Sequence, residues 1–322
     1  MLFILKFNRY FCRMHDFFDN AISQNMPNQF VKEFDKGIQL YIKREDLLHP
    51  EVSGNKFRKL KYNLLEAKKG NFQSLLTFGG AHSNHIAASA AAGKLFDFET
   101  IGIIRGEELE NSRQKWSPTL KYAESCGMQF KFISREEYRE KESPEFIEKL
   151  RNYFDDFYLV PEGGTNEFAI KGCTEILSEE DKDFNFICSS VGTGGTLAGL
   201  INAAKDSQKV LGYSALNSDY LKDEISNMVE TSNWELMLNY HFGGYAKVDE
   251  QLINFINDFS KNYKINLDPV YTGKLLFGIF DLIKQGYFPA NSKILAIHTG
   301  GLQGIEGMNR FLKKKKLPQI EY

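Results

Sequence analysis

Phe184-Asn185-Phe186-Ile187-Cys188-Ser189-Ser190-Val191-Gly192-Thr193-Gly194-Gly195-Thr196 decides the fold. Phe184 to Cys188 is a short, largely apolar run that reads as a buried strand. Glycines follow at once, and a helix through Ala204 follows them. The same rhythm extends in both directions. Gln39–Lys43, Ser74–Phe78, Thr100–Ile104, Gln129–Ile133, Tyr158–Val160, Val210–Tyr213 and Ser292–Ile297 read as strands. Helices are expected over Asn55–Lys69, from beyond Gly79-Gly80 through Ala92, over Trp116–Cys126 and over Glu136–Phe154. A closing helix is expected after Gly300-Gly301. In the first of these, Phe57, Leu60 and Leu64 share one face. Strands alternating with helices imply an α/β protein with parallel sheets covered on both faces.

Composition sets the outer limits. The chain has 322 residues, with 42% hydrophobic and 25% charged, as in an ordinary globular protein large enough for two domains. A formal net charge of −2 gives no overall pull toward nucleic acid or a membrane surface. No run approaches the roughly 20 apolar residues of a membrane span. Cys12, Cys126, Cys173 and Cys188 show no metal-ligand spacing and no disulfide framework, which fits reduced thiols in the cytoplasm. Residues 1–14 are apolar at first and then basic. They read as a frayed end, a docking strand, or the product of an upstream start with Met14 as the true first residue. Lys313–Lys316 reads as a solvated helix C-terminus, where cations complement the dipole.

Five segments carry chemistry. Gly192 to Thr196 lies between a strand and a helix. It offers free backbone N–H groups, a helix N-terminus and two hydroxyls to an anion. It has neither the lysine of a P-loop nor the spacing of a dinucleotide fingerprint. Read alone, it is equally a tight turn without a ligand. Phe78-Gly79-Gly80-Ala81-His82-Ser83-Asn84-His85 opens the next helix. Ser83 or Asn84 fits an N-cap there, and a helix N-terminus with these side chains suits a carboxylate. His82 and His85 lack a third ligand, so no metal is expected. Ser53-Gly54-Asn55-Lys56 places a lysine in a first helical turn, where the dipole disfavours it, with Asn55 as a possible cap. Lys59 lies on the same face at i+3. Asp268-Pro269-Val270-Tyr271-Thr272-Gly273-Lys274 and His298-Thr299-Gly300-Gly301 complete the set. The second of these ends a strand, where ligands gather in open α/β sheets.

Taken in this order, the five segments resemble one family. It is the pyridoxal-phosphate fold type II group of 1-aminocyclopropane-1-carboxylate deaminase and D-cysteine desulfhydrase. The resemblance spans about Gly37 to Gly307. It implies two open, mainly parallel sheets with helices on both faces, a tryptophan synthase β-like fold. It also implies a larger cofactor-binding domain of residues 1–56 and 161–322, and a smaller inserted domain of residues 57–160. Pro161-Glu162-Gly163-Gly164 would be the crossing between them. A homodimer in the cytoplasm, acting on a small amino acid, is likewise implied.

The resemblance assigns roles residue by residue. Lys56 would attach pyridoxal 5'-phosphate as a Schiff base, and Asn84 would bond the cofactor's 3-hydroxyl. Gly192, Thr193, Gly194, Gly195 and Thr196, with Lys59, would hold its phosphate. Thr299 would face the ring nitrogen. Ser83 and His85 would contact the substrate carboxylate, with Ser83 near the reacting carbon. Tyr271 would act beside the substrate, and Thr272 would bind it. Catalysis would fall to Lys56, Ser83 and Tyr271.

Ring-opening deaminases of this group carry Tyr-Glu-Gly-Lys and His-Leu-Gly-Gly, where this chain has Thr272 and Thr299. Both threonines match the desulfhydrase-like pattern. The expected reaction is therefore β-elimination from a small D-amino acid, with D-cysteine giving pyruvate, sulfide and ammonia. Ala81-His82 departs from the usual Ile-Gln and leaves the substrate open. Alternatives are a ring-opening deaminase, a D-serine-type dehydratase and a cofactor-binding protein without turnover. A nucleotide-dependent enzyme is disfavoured, because no carboxylate pair for magnesium is evident.

Overall fold

The structure, a computed structural model, describes residues 14–20, 26–218 and 220–322. Cys12 and most of the N-terminal segment discussed above lie outside the described residues. Among the described residues the strands are β1 (Asn28–Phe34), β2 (Ile38–Lys43), β3 (Ser74–Gly80), β4 (Glu99–Arg105), β5 (Gln129–Ile133), β6 (Tyr158–Val160), β7 (Phe186–Val191), β8 (Lys209–Ser214), β9 (Trp234–Met237) and β10 (Lys293–Ile297). The helices are α1 (described over residues 14–20), α2 (Asn55–Lys69), α3 (Asn84–Phe96), α4 (Pro118–Ser125), α5 (Pro144–Phe154), α6 (Glu167–Thr174), α7 (Gly195–Ala203), α8 (Leu221–Ser226), α9 (Glu250–Tyr263), α10 (Thr272–Lys284) and α11 (Gly304–Lys315).

These strands form two sheets. One has six strands in the order β1-β2-β10-β7-β8-β9, and the other has four in the order β5-β4-β3-β6. All neighbours are parallel except β1 and β2. The expected architecture of two mainly parallel sheets is the observed one.

Period-2 alternation puts both faces of the central strands in the core. In β10, Ile294 and Ala296 pack with Ile253, Ile256, Leu275 and Ile279 of α9 and α10. Leu295 and Ile297 point the other way, to Leu197, Leu200 and Ile201 of α7. The four-stranded sheet is covered similarly. Leu75 packs with Phe57, Leu60 and Leu64 of α2, while Leu76 and Phe78 pack toward Leu150 of α5. Each such side chain, fully buried, contributes about 1.5–3 kcal/mol. Met14 and Phe18 of α1 are buried against this layer, with Phe18 in ring contact with Phe57 and Phe96.

Two expectations about elements change. The helix expected over Glu136–Phe154 is interrupted. A 3-10 turn covers Glu137–Glu140, and α5 begins at Pro144. Proline disfavours helical geometry in the residue before it and suits the first helical position. Ser143 takes the cap, its side chain accepting from Phe146 N. The second change is at the sheet edges, where β1 and β9 join without a clear apolar pattern of their own. β1 buries only Val31, and β9 has only 4 residues.

The topology fixes where a site can form. β2, β10 and β7 lie side by side and run the same way. Their C-terminal ends therefore present the loops leading to Lys56, Thr299 and Gly192 together. The ends of β3, β4 and β6 do the same for Ser83, Arg105 and Glu162.

Candidate active site

A cleft of about 420 Å³ opens where these loops meet. It brings together eleven of the residues singled out in the sequence: Lys56, Lys59, Ser83, Asn84, His85, Gly192, Thr193, Gly194, Thr196, Tyr271 and Thr299. Gly195 and Thr272 do not line it. Gly195 is the first residue of α7, and a Cβ there would press on the Thr165 side chain at 2.8 Å.

Lys56 is presented by a turn only glycine can make. Gly54 has φ 60° and ψ −140°, a conformation strained for residues with a Cβ. A Cβ there would overlap the Thr299 carbonyl and lie 2.8 Å from Gly300 N. Asn55 N donates to Thr299 O at 3.3 Å, which ties the lysine loop to the loop after β10. The N-cap of α2 is Gly54, so Asn55 does not take the capping position open to it. Its Nδ2 donates to Thr196 Oγ1 at 2.9 Å, and its Oδ1 accepts from Lys56 Nζ at 3.3 Å. The Lys56 side chain keeps an opening to the cleft within densely packed surroundings. Burial, and then the neighbouring Lys59 charge, lower its pKa to about 7. An amine so poised is a nucleophile and a proton carrier at neutral pH.

Lys59 turns toward the glycine loop. Its Nζ donates to Gly163 O at 3.0 Å and Thr165 Oγ1 at 2.9 Å, with Thr193 Oγ1 at 3.4 Å. Burial lowers its pKa to about 8. Gly194, with φ 81°, is the N-cap of α7 and leaves the first N–H groups of that helix unbonded by a side chain. The anion cradle therefore has two walls. One is the expected Gly192–Thr196 loop. The other is the turn from Gly163 to Thr165, which the sequence reading took only for a crossing between domains.

At the start of α3, Ser83 is the N-cap, and its Oγ accepts from Ile86 N at 3.3 Å. Asn84 Oδ1 is buried without a hydrogen-bond partner, as is His85 Nδ1. Thr77 Oγ1 lies 2.8 Å from both Val160 O and His85 Nε2. Its single proton goes to the carbonyl, so Nε2 must carry the hydrogen that Thr77 accepts. His85 Nδ1 is then a bare acceptor. Burial, and then Lys56 and Lys59, hold the imidazole well below its usual pKa and keep it neutral. A neutral ring whose bare nitrogen is buried has no hydrogen to offer a carboxylate. Beside it, Ser83 Oγ and the first N–H groups of α3 are hydrogen-bond donors at the cleft.

Tyr271 is set by Asp268. The carboxylate accepts from the N–H groups of Val270, Tyr271 and Thr272, all within 2.9 Å, and from Thr272 Oγ1 at 2.7 Å. Thr272 is fully buried, with its hydroxyl committed to this carboxylate. Thr272 therefore supports the Tyr271 turn and does not line the cleft. Thr272→Val should lower the unfolding free energy by about 1.5–3 kcal/mol, read as a lower denaturant midpoint at constant slope. An unchanged midpoint would show that the bond is dispensable. Burial raises the Tyr271 phenol well above its usual pKa, so it stays protonated. Lys274 Nζ donates to His241 O and Gly244 O, which anchors the segment ahead of cleft residue Tyr245.

Thr299 Oγ1 lies 3.3 Å from Ser190 Oγ, so two hydroxyls face the cleft where β10 and β7 end. Ser190, Tyr245, Arg105 and Glu162 were not among the expected site residues. Arg105 ends β4, Glu162 follows β6 as Thr299 follows β10, and that position was the available signal. Among the described residues no cluster of three or more His, Cys, Asp or Glu is placed to hold a metal. No helix among them is long and apolar enough to cross a membrane.

The site thus pairs a half-buried, partly neutral amine with an anion cradle and an unpartnered acceptor at Asn84. That donor set fits pyridoxal phosphate. The chain belongs to the pyridoxal-phosphate dependent enzyme family, whose model it matches over residues 25–300. It is 30% identical over 297 residues to the bifunctional D-cysteine desulfhydrase/1-aminocyclopropane-1-carboxylate deaminase of Arabidopsis thaliana, covering 84% of this chain and 74% of that one. A Thermotoga maritima protein provisionally named 1-aminocyclopropane-1-carboxylate deaminase is 32% identical over 311 residues, 89% of this chain and 96% of that one. A crystal structure described as an ACC deaminase homologue superposes with a TM-score of 0.78 at 28% identity, covering 90% of this chain and 93% of that one.

Proposed function

We propose that this protein is a pyridoxal-phosphate-dependent lyase that eliminates the β-substituent of a small D-amino acid, as in the conversion of D-cysteine to pyruvate, sulfide and ammonia. The observation that carries the reading is the Lys56 amine, lowered to about 7 and set in one cleft with the anion cradle and Ser83. Lys56 would attach the cofactor, the Gly192–Thr196 loop and Lys59 would take its phosphate, and Asn84 Oδ1 would accept from its 3-hydroxyl. Bound in this way, the cofactor supplies an electron sink for the pair left when the α-proton departs.

The remaining work falls to the chain. Ser83 and the α3 N-terminus hold the carboxylate. Lys56 receives the α-proton. Tyr271, protonated in its buried setting, is a donor for the departing group. Thr299 and Ser190 offer hydroxyls to the ring nitrogen where other sites would use a carboxylate, which favours elimination over longer-lived carbanion chemistry. We read residues 57–160, with the four-stranded sheet, as a smaller unit whose closure on the rest of the chain excludes water.

The names carried by the relatives favour a second reading, ring opening of 1-aminocyclopropane-1-carboxylate to 2-oxobutanoate and ammonia. The same Lys56 and Ser83 would serve it. Holoenzyme assayed with D-cysteine, D-serine and the cyclopropane amino acid separates the two. Sulfide and pyruvate from D-cysteine, at a kcat/KM at least about tenfold above the others, is the expected result, a difference of about 1.4 kcal/mol. 2-Oxobutanoate without sulfide would replace the first reading with the second.

A further inference from the structure

Arg105 lines the cleft and has no part in the scheme above. It ends β4, in register with Gly80 at the end of β3, just before the turn into Ser83. A Cβ on Gly80 would stand 3.6 Å from Arg105 Nη2, so the guanidinium lies over the mouth of that turn. The guanidinium carbon is 5.4 Å from the centre of the Tyr138 ring. Glu162, the acidic side chain lining the same cleft, is already engaged. It accepts from Tyr138 Oη at 2.8 Å and faces Lys141 Nζ at 3.5 Å. Among the described residues no carboxylate pairs with Arg105. Its contact is the Tyr138 ring, which leaves the guanidinium fork unoccupied. An aromatic-backed guanidinium with free donors matches a carboxylate bidentately. Lys56 and Lys59 are assigned to the cofactor, so among the described residues Arg105 is the cleft cation left uncommitted.

We propose that Arg105 selects substrates whose β-substituent ends in an acidic group, so that the preferred substrates are D-amino acids carrying a distal carboxylate. This rests on the elimination reading. For S-(carboxymethyl)-D-cysteine the α C–H bond breaks and its proton passes to Lys56. The Cβ–S bond breaks with its electron pair on sulfur, and the Cα–Cβ double bond forms. The thiolate takes a proton, and water converts the 2-aminoacrylate to pyruvate and ammonia. One substrate and one water give pyruvate, ammonia and thioglycolate, with no external oxidant or reductant.

The test compares this acid with its neutral isostere, S-(carbamoylmethyl)-D-cysteine, in holoenzyme, with D-cysteine alongside. Both break the same bond, so pyruvate reports both. Arg105 is exposed at the cleft rim, so the acid should be preferred in kcat/KM by about two- to fivefold, the range of an exposed ion pair. Arg105→Gln should collapse that ratio toward one, and Arg105→Lys should retain part of it. A ratio taken within one variant is insensitive to how much of that variant is folded. Turnover of D-cysteine with equal rates for acid and amide overturns this inference alone. So does an acid preference that survives in Arg105→Gln. No pyruvate from any of the three overturns the elimination reading, and this inference with it.

Discussion

Lys56→Ala should reduce turnover by at least about 10³-fold, because it removes both the attachment point and the base that takes the α-proton. The loss should come with a change in the cofactor's visible absorbance, since no Schiff base can form at this position. The pH dependence follows from the lowered pKa. With a pKa of about 7, Lys56 is half neutral near pH 7. That is roughly three orders of magnitude more free amine than an ordinary lysine offers there. The rate at which apoprotein captures pyridoxal phosphate should therefore rise with pH up to about 7 and level off above it. A rate that keeps climbing toward pH 10 would mean that an ordinary surface lysine captures the aldehyde.

Gly54→Ala should be the most damaging substitution outside the chemistry itself. The backbone at Gly54 is strained for alanine, and the added methyl would overlap the Thr299 carbonyl. Strain and overpacking each cost about 1–3 kcal/mol, and here they act at one point, so a combined loss of roughly 3–5 kcal/mol is expected. The consequence is functional as well as structural. Asn55 N bonds Thr299 O, and Asn55 Nδ2 bonds Thr196 Oγ1, so one misplaced turn moves the lysine, the Thr299 loop and the cradle together. The denaturation midpoint and the cofactor affinity should fall together. An alanine variant that keeps both would show that this contact does not hold the site.

Features written in local sequence were legible before any coordinates. The strand, glycine loop and helix from Phe186 through Ala203 are specified by neighbours in the chain, and so is the amphipathic α2 that carries Lys56. What failed to show was the direction of side chains. Thr272 follows Tyr271 in sequence yet turns inward to Asp268, because a carboxylate surrounded by three N–H groups and a hydroxyl outcompetes an open cleft. His85 follows Asn84, yet its Nε2 is held by Thr77, whose own proton goes to the Val160 carbonyl. Pro161–Gly164 reads in sequence as a crossing between domains, and its backbone becomes part of the cradle's second wall only because Lys59 reaches across more than a hundred residues to Gly163 O. Arg105 and Tyr245 arrive from elements whose proximity only the tertiary fold sets. Pro144 was different, because the signal that breaks the helix there was in plain view and was outweighed by the charged pattern around it.

The central claim is that Lys56, and not one of the more deeply buried lysines around it, is the residue that carries the cofactor. Lys59 and Lys274 are buried, each with a pKa lowered to about 8, and are the credible competitors. Reduction of the holoenzyme with borohydride, followed by digestion and mass mapping, decides among them. A pyridoxyl group on Lys56 is the predicted result. Label on Lys59 or Lys274, or no label at all, would contradict the account.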